Sequence, residues 1–121
     1  MRLLLTGGAG FIGSHTCLSL LEKGYEVIVV DSFINSSKKS LERVLDIIRK
    51  ENKDYKNKLY VEEVDLRDLI KLNNVFLNFY NSGKSIDAVI HFAGLKSVSD
   101  SISNPINYWD VNVHGTINLL Q

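Results

Sequence analysis

The chain has 121 residues, with 14 Lys+Arg against 14 Asp+Glu, so its formal charge is zero with the three histidines neutral. That balance argues against a basic surface built for nucleic acid or for a membrane. Hydrophobic residues at 45% and charged residues at 23% describe a globular chain, one domain or part of one, and exclude a disordered or fibrous one.

Leu3-Leu4-Leu5 is an apolar run that stops at Thr6-Gly7-Gly8-Ala9-Gly10. It is too short for a secretory signal and reads as a buried strand of a parallel sheet. Phe11 to Lys23 predicts a crossover helix that stops at Gly24, a helix-terminating glycine. Cys17, inside that helix, reads as a small buried hydrophobe, and a single cysteine with no disulfide partner points to a reducing cytoplasm. Glu26 to Val30 predicts the second strand, ending at Asp31. Its Val27-Ile28-Val29-Val30 is the longest apolar stretch, far short of the roughly 18 residues that a membrane-spanning helix needs, so a soluble chain is expected.

Leu41, Val44, Leu45 and Ile48 then fall on one helix face. Leu59 to Val64 predicts a third strand ending at Asp65, and Leu69, Leu72, Phe76 and Tyr80 give the stripe of a third helix. Ile86 to Phe92 predicts a fourth strand running into Ala93-Gly94. A last helix begins at Asn104-Pro105, an N-cap residue followed by the proline that a first turn tolerates, and carries Tyr108, Trp109, Val111, Val113 and Ile117. It reaches Gln121 with no closing glycine, proline or polar tail, an end that looks cut.

Strands alternating with helices through right-handed crossovers predict an α/β fold, a Rossmann-type doubly wound parallel sheet in the order 3-2-1-4. In that order the crevice lies between strands 1 and 4, where the winding reverses. Strand 4 would be left with an open edge, which invites pairing with a second chain and hence dimerisation or aggregation.

The turn after strand 1 contains two overlapping patterns, Gly8-x-Gly10-x-x-Gly13 and Gly7-x-x-Gly10-x-x-Gly13, and either suits a dinucleotide. Glycine lets the chain turn sharply, lets a diphosphate approach bare backbone, and lets the helix lie against the sheet. The helix opening at Phe11 points free N–H groups and about half a positive charge at that spot, so a diphosphate is held without a lysine. Asp31, 18 residues past Gly13, sits where an acid accepts hydrogen bonds from the adenosine ribose. A carboxylate there repels a 2′-phosphate and favours NAD over NADP, while Lys38 and Lys39 keep NADP as a minor alternative to their reading as a solvated helix start.

Asp65 carries two readings. Asp65-Leu66-Arg67-Asp68 resembles a capping box with Asp65 as N-cap, and a carboxylate at the end of strand 3 can also accept the amino protons of adenine. His91 reads as a packed core residue without a catalytic role. His15 and His114 lie on separate helices with no neighbouring ligand at metal spacing, so no metal site is expected.

Three blocks together resemble a known family: Thr6-Gly7-Gly8-Ala9-Gly10-Phe11-Ile12-Gly13-Ser14-His15-Thr16, Asp31 through Ser37, and His91-Phe92-Ala93-Gly94-Leu95-Lys96-Ser97-Val98. These are similar to the UDP-glucose 4-epimerases, extended short-chain dehydrogenases/reductases, and the resemblance runs from Met1 to Gln121. It implies NAD held at Phe11 and Ile12 of the glycine turn, and by Asp31, Ser32, Phe33, Ile34, Asn35 and Ser36 after strand 2. Asp65 and Leu66 would meet adenine, and Phe92, Ala93, Gly94, Leu95 and Lys96 would follow the cofactor past strand 4. Lys96 can offer charge to phosphate and can equally be a solvated loop lysine. Asn112 matches an asparagine usual in the family, and Val111 departs from the polar residue some members have beside it, which leaves open which of the two faces the cofactor.

The resemblance also implies a UDP-sugar substrate, interconversion of UDP-glucose and UDP-galactose through a 4-keto sugar, and a cytoplasmic homodimer. The family's catalytic serine or threonine and its Tyr-x-x-x-Lys pair would follow Gln121, so no catalytic residue is assigned here and the chain alone is expected to be inactive. A Tyr-x-x-x-Lys does occur, Tyr80-Asn81-Ser82-Gly83-Lys84, but it precedes strand 4 and crosses a glycine, whereas a working pair needs one helix face. A related nucleotide-sugar dehydratase or decarboxylase and a non-catalytic NAD-binding module are the alternatives.

Overall fold

The computed structural model describes residues 1–50 and 58–121. Its elements are β1 (Arg2–Thr6), α1 (Phe11–Glu22), β2 (Glu26–Asp31), α2 (Lys38–Lys50), β3 (Leu59–Glu63), α3 (Leu69–Asn81), β4 (Ala88–His91), α4 (Val98–Ser103), α5 (Pro105–Trp109), a π-helical turn (Asp110–His114) and α6 (Gly115–Leu120). The strands form one parallel sheet in the order β3-β2-β1-β4, with Leu4 opposite Ile28 on one side and Val89 on the other. The predicted order is observed, and the open edge of β4 exposes Ala88, Val89 and His91.

Because side chains alternate along a strand, the central strands feed two cores. Leu3, Leu5, Val27 and Val29 pack with Cys17 and Leu21 of α1 and with Leu41, Val44 and Ile48 of α2. Leu4, Ile28 and Val30 face the other way, onto Val64, Leu66 and the Leu72, Val75 and Phe79 face of α3. Both faces are covered, which is why β1 and β2 read as unbroken apolar runs.

Several details depart from the sequence reading. The buried face of α3 is centred on Leu72, Val75 and Phe79, so Tyr80, which the predicted stripe included, falls outside the buried face and is 70% exposed. The reason is that Phe79 and Val75 lie on the sheet side, and an added neighbour one position on points away. Asp65 does not cap a helix: α3 starts at Leu69, and Asp68 is the N-cap, accepting from the Lys71 N–H at 3.0 Å. Asn104 precedes Pro105 as expected but gives no side-chain cap. A short helix, α4, lies in what read as a connection, capped by Ser97. The final helix is not uniform either, since Asp110–His114 takes i→i+5 geometry, closed by the Gly115 N–H donating to the Asp110 carbonyl.

Among the described residues no helix is long and apolar enough to cross a membrane, and no group of three or more His, Cys, Asp or Glu side chains is placed to hold a metal ion.

Candidate functional site

A cleft of about 550 Å³ opens at the C-terminal ends of the strands, beyond the paired ends of β1 and β4 where the winding reverses. This is the place that strand order alone designates in a doubly wound sheet. Gly7, Gly10, Phe11, Ile12 and Gly13 line it from the first turn, Asp31, Ser32, Ile34, Asn35 and Ser36 from the second, Asp65 and Leu66 from the third, and Phe92 through Lys96 from the fourth.

The glycine turn is explained by three different constraints. Gly7 has φ +65°, and a Cβ there would sit 2.7 Å from the Ala93 nitrogen, so the position needs glycine to turn and to pass β4. At Gly13 a Cβ would lie 2.3 Å from the Gly7 carbonyl oxygen, because α1 packs tightly onto the turn. At Gly10 the only neighbour of a Cβ would be the Gly7 oxygen at 3.3 Å. The fold therefore demands glycine strictly at 7 and 13 and less strictly at 10, where one tight backbone contact is the obstacle and the cleft lies beyond. Gly10 is also the N-cap of α1 and has no side chain to cap with, so the first-turn amides open onto the cleft, flanked by the exposed Phe11 and Ile12.

Asp31 ends β2 with its carboxylate nearly buried, 7% exposed. Oδ1 accepts from the Phe33 N–H (2.9 Å) and the Ser36 hydroxyl (2.8 Å), and Oδ2 accepts from the Ala9 N–H (3.0 Å). One carboxylate thus ties the glycine turn to the loop after β2. Each carboxylate oxygen offers about two acceptor positions, so Oδ2 keeps one for an incoming donor. Within the same loop Phe33 adopts φ +55° and turns its ring into the α1–α2 core, with the Lys38 ammonium 5.1 Å from the ring centroid. Phe33 is therefore not brought into the cleft with its neighbours, since its ring finds apolar contacts behind the loop. Lys38 is spoken for in addition by an ion pair with Glu63.

Asp65 holds an Asx-type turn, its Oδ1 accepting from the Arg67 N–H at 2.9 Å. The Arg67 guanidinium beside it holds the carboxyl below the usual carboxylate range, against a smaller opposing effect of burial. The sequence reading assigned nothing to Arg67, although it lines the cleft and the Asp-x-Arg spacing was visible.

Asn112 does not line the cleft; Val111 does. The Asn112 amide instead works from behind the loop after β4, accepting from the Leu95 N–H (2.8 Å) and donating to the Leu95 carbonyl (3.0 Å). A side-chain amide presents a donor and an acceptor side by side, so it substitutes for a backbone partner that a loop outside the sheet lacks. Asn118, another residue the sequence reading passed over, is buried and donates to the Leu66 carbonyl at 2.9 Å. The helix after β4 thus braces two of the four loops.

His91 is not a packed core residue. Its Nδ1 meets the Thr6 hydroxyl and its Nε2 the Thr116 hydroxyl at 2.9 Å, and it borders the cleft. The Thr116 hydroxyl donates to the Asn112 carbonyl (2.6 Å), so it accepts from Nε2–H, and in the neutral ring Nδ1 is then the acceptor for the Thr6 hydroxyl. The ring is neutral in that pattern, and burial lowers its pKa in the same sense. Tyr80 and Lys84 form no pair, since the Lys84 ammonium donates to the Tyr60 hydroxyl at 3.3 Å and Gly83, at φ +70°, separates it from α3.

Strand order, the cleft at the reversal point and the glycine turn beneath a helix N-terminus make this a Rossmann-type α/β protein. The chain belongs to the family described as GDP-mannose 4,6 dehydratase, whose model matches residues 4–121. It is 46% identical over 118 residues to a UDP-glucose 4-epimerase of Schizosaccharomyces pombe, covering 98% of this chain and 30% of that protein. A UDP-glucose 4-epimerase of Yersinia enterocolitica is 47% identical over 121 residues, 100% of this chain and 32% of its own length. Among solved structures, the UDP-glucose 4-epimerase of Stenotrophomonas maltophila with bound NAD and formylated UDP-arabinopyranose superposes with a TM-score of 0.83 at 38% identity, over 99% of this chain and 32% of that one. The enzyme of Bifidobacterium longum in complex with NAD+ and UDP gives 0.80 at 42% identity, again over 99% and 32%. The chain therefore spans about a third of the length of these relatives.

Proposed function

We propose that residues 1–121 are the dinucleotide-binding portion of a UDP-glucose 4-epimerase and that the cleft holds NAD. The observation that carries this reading is Gly10: a Cβ there would make one tight contact, 3.3 Å to the Gly7 oxygen, against 2.3 Å at Gly13 and 2.7 Å at Gly7, and the position faces the first-turn amides of α1. A diphosphate fits that vacancy and the helix dipole behind it. Asp31 Oδ2 is the acceptor offered to an adenosine ribose hydroxyl, and its charge disfavours a 2′-phosphate. Ala93 and Gly94 let the backbone of the β4 loop lie along the nicotinamide half, while Lys96 offers charge. Relatives solved with NAD support the same choice of cofactor.

When bound, the nicotinamide would accept a hydride from the sugar C4 and return it, so that a 4-keto sugar can be reduced on its other face. The residues described here bind, orient and shield. The resemblance to the UDP-glucose 4-epimerases, of which this chain spans about a third, implies that proton removal from the sugar hydroxyl belongs to the part of such a protein not included in these 121 residues, and we infer that this chain alone does not turn over UDP-galactose. The homodimer is likewise a property we assign to the longer protein.

The test separates binding from folding. Gly10→Ala should stay folded with a melting midpoint lowered by no more than about 5 °C, since its Cβ makes one tight contact at 3.3 Å, yet lose NAD affinity by ~10-fold or more in calorimetry, because one methyl displaces the diphosphate. Equal NAD affinity in parent and variant would remove the support for the reading. The family description favours one other reading, a nucleotide-sugar dehydratase, and product analysis of a full-length protein with UDP-galactose distinguishes it: UDP-glucose for an epimerase, a dehydrated 4-keto sugar otherwise.

A further inference from the structure

The turn after β3 carries a side chain that the cofactor reading leaves without a task. Arg67 spreads its guanidinium between two carboxylates distant in sequence. Nε donates to Asp65 Oδ1 at 3.0 Å and more weakly to Oδ2 at 3.2 Å, and one terminal nitrogen donates to Asp65 Oδ2 at 2.7 Å. The other terminal nitrogen reaches Asp110 Oδ2 at 3.2 Å, at the start of the π-helical turn, and Asp110 Oδ1 meets His114 Nδ1 at 3.0 Å. The same turn is held from below by Asn118 and lies against Gly115, where a Cβ would come within 3.2 Å of Leu66 Cβ.

Counting acceptors shows what this achieves. Asp65 Oδ1 already takes two donors, the backbone N–H of Arg67 and its Nε, and is full. The single Nε–H is shared and lies nearer Oδ1, so Oδ2 holds one full bond from the terminal nitrogen and only the long arm of the shared one; three hydrogens thus meet four acceptor positions, and the position left is on Oδ2. The two side chains of the pair are 32% and 30% exposed, a setting in which an ion pair contributes little to stability. The fork does fix the rotation of the carboxylate, which a single-point contact would not.

We propose that Arg67 is a positioning residue: it locks Asp65 so that Oδ2 is presented to the exocyclic amino group of an adenine, and it thereby sets a preference for a 6-aminopurine over a 6-oxopurine dinucleotide. The proposal rests on the NAD reading of the cleft. A 6-oxopurine puts a carbonyl where adenine has N–H, acceptor against acceptor, and neither group can then be satisfied. Without the fork, Asp65 turns and hydrates, and the distinction fades.

The experiment titrates the chain, as wild type, Arg67→Met and Arg67→Lys, with NAD and with nicotinamide hypoxanthine dinucleotide in a calorimeter, with folding checked by circular dichroism and thermal melting. Wild type should prefer NAD by ~10-fold or more, the usual discrimination of one hydrogen bond to a charged acceptor. Arg67→Met should bring that ratio below about threefold, by weakening NAD and leaving the hypoxanthine analogue nearly unchanged, a split that general loosening of the site would not produce. Arg67→Lys, which keeps charge without the fork, should fall between the two. A wild type that binds both dinucleotides equally, or a folded variant that keeps the wild-type ratio, overturns the proposal; if the methionine variant does not fold, the lysine variant decides on the same criterion. A wild type that binds neither dinucleotide refutes the NAD reading itself, a result distinct from a lost ratio.

Discussion

Asp31→Asn separates the two duties placed on this carboxylate. In the folded chain it accepts three hydrogen bonds, two on Oδ1 and one on Oδ2, at 2.8–3.0 Å. An asparagine has one acceptor oxygen. The best arrangement puts that oxygen where Oδ1 stands, keeping Phe33 and Ser36, and turns the amide nitrogen toward the Ala9 N–H, donor against donor. A lost hydrogen bond to a charged acceptor costs ~1.5–3 kcal/mol, which for a domain of this size lowers the melting midpoint by roughly 5–15 °C. The same substitution removes the charge that opposes a 2′-phosphate. Absolute NAD affinity should fall by ~10-fold or more with the loss of the ribose acceptor, while NADP relative to NAD should gain by roughly fivefold. Melting curves without ligand and calorimetry with both dinucleotides read the two effects independently. A midpoint unchanged within about 2 °C would refute the hydrogen-bond account of the loop. An unchanged NADP-to-NAD ratio would refute the ribose assignment even if stability falls as expected.

Three further outcomes are expected. Gly13→Ala forces a Cβ against the Gly7 oxygen and the Gly8 Cα, both backbone, so it should destabilise by ~1–3 kcal/mol in urea unfolding, in contrast to the milder Gly10→Ala. Asn112→Ala removes both partners of Leu95 and should cost about 1–2 kcal/mol, with faster amide exchange at Leu95 as the local signature; exchange that stays slow would show that the loop is held by something else. Because burial lowers the His91 pKa from 6.5, the unfolded chain binds the proton first, so stability contributed here is full above pH 6.5 and declines as pH falls below it. Asp65 and Asp110, both lowered from 3.8, add losses only at more acidic pH. His91→Gln should flatten the stability profile between about pH 7.5 and 5.5, and an unaltered slope would count against the neutral bridge between Thr6 and Thr116.

The sequence by itself determined the glycine turn and the acid at the end of β2, which are local features, and the sheet order, because alternating strands and helices with right-handed crossovers leave few ways to wind the sheet. Apolar runs in β1 and β2 announce strands buried on both faces, Gly24 ends α1 with φ +86°, and Gly7 and Gly13 mark a turn whose close backbone contacts exclude a side chain at those two positions. Periodicity was less decisive for α3, where the stripe through Tyr80 and the face through Phe79 differ by one position and only the sheet chooses between them. What only the tertiary structure decided is how contacts distant in sequence are shared. Phe33 turned inward, Asn112 spent on Leu95, Asn118 on Leu66 and Arg67 stretched from Asp65 to Asp110 all depend on where the last helix lies across the loops. Hydrogen-bond partners 17 to 52 residues apart leave no periodic trace, because their pairing is set by the packing of whole elements rather than by spacing along the chain.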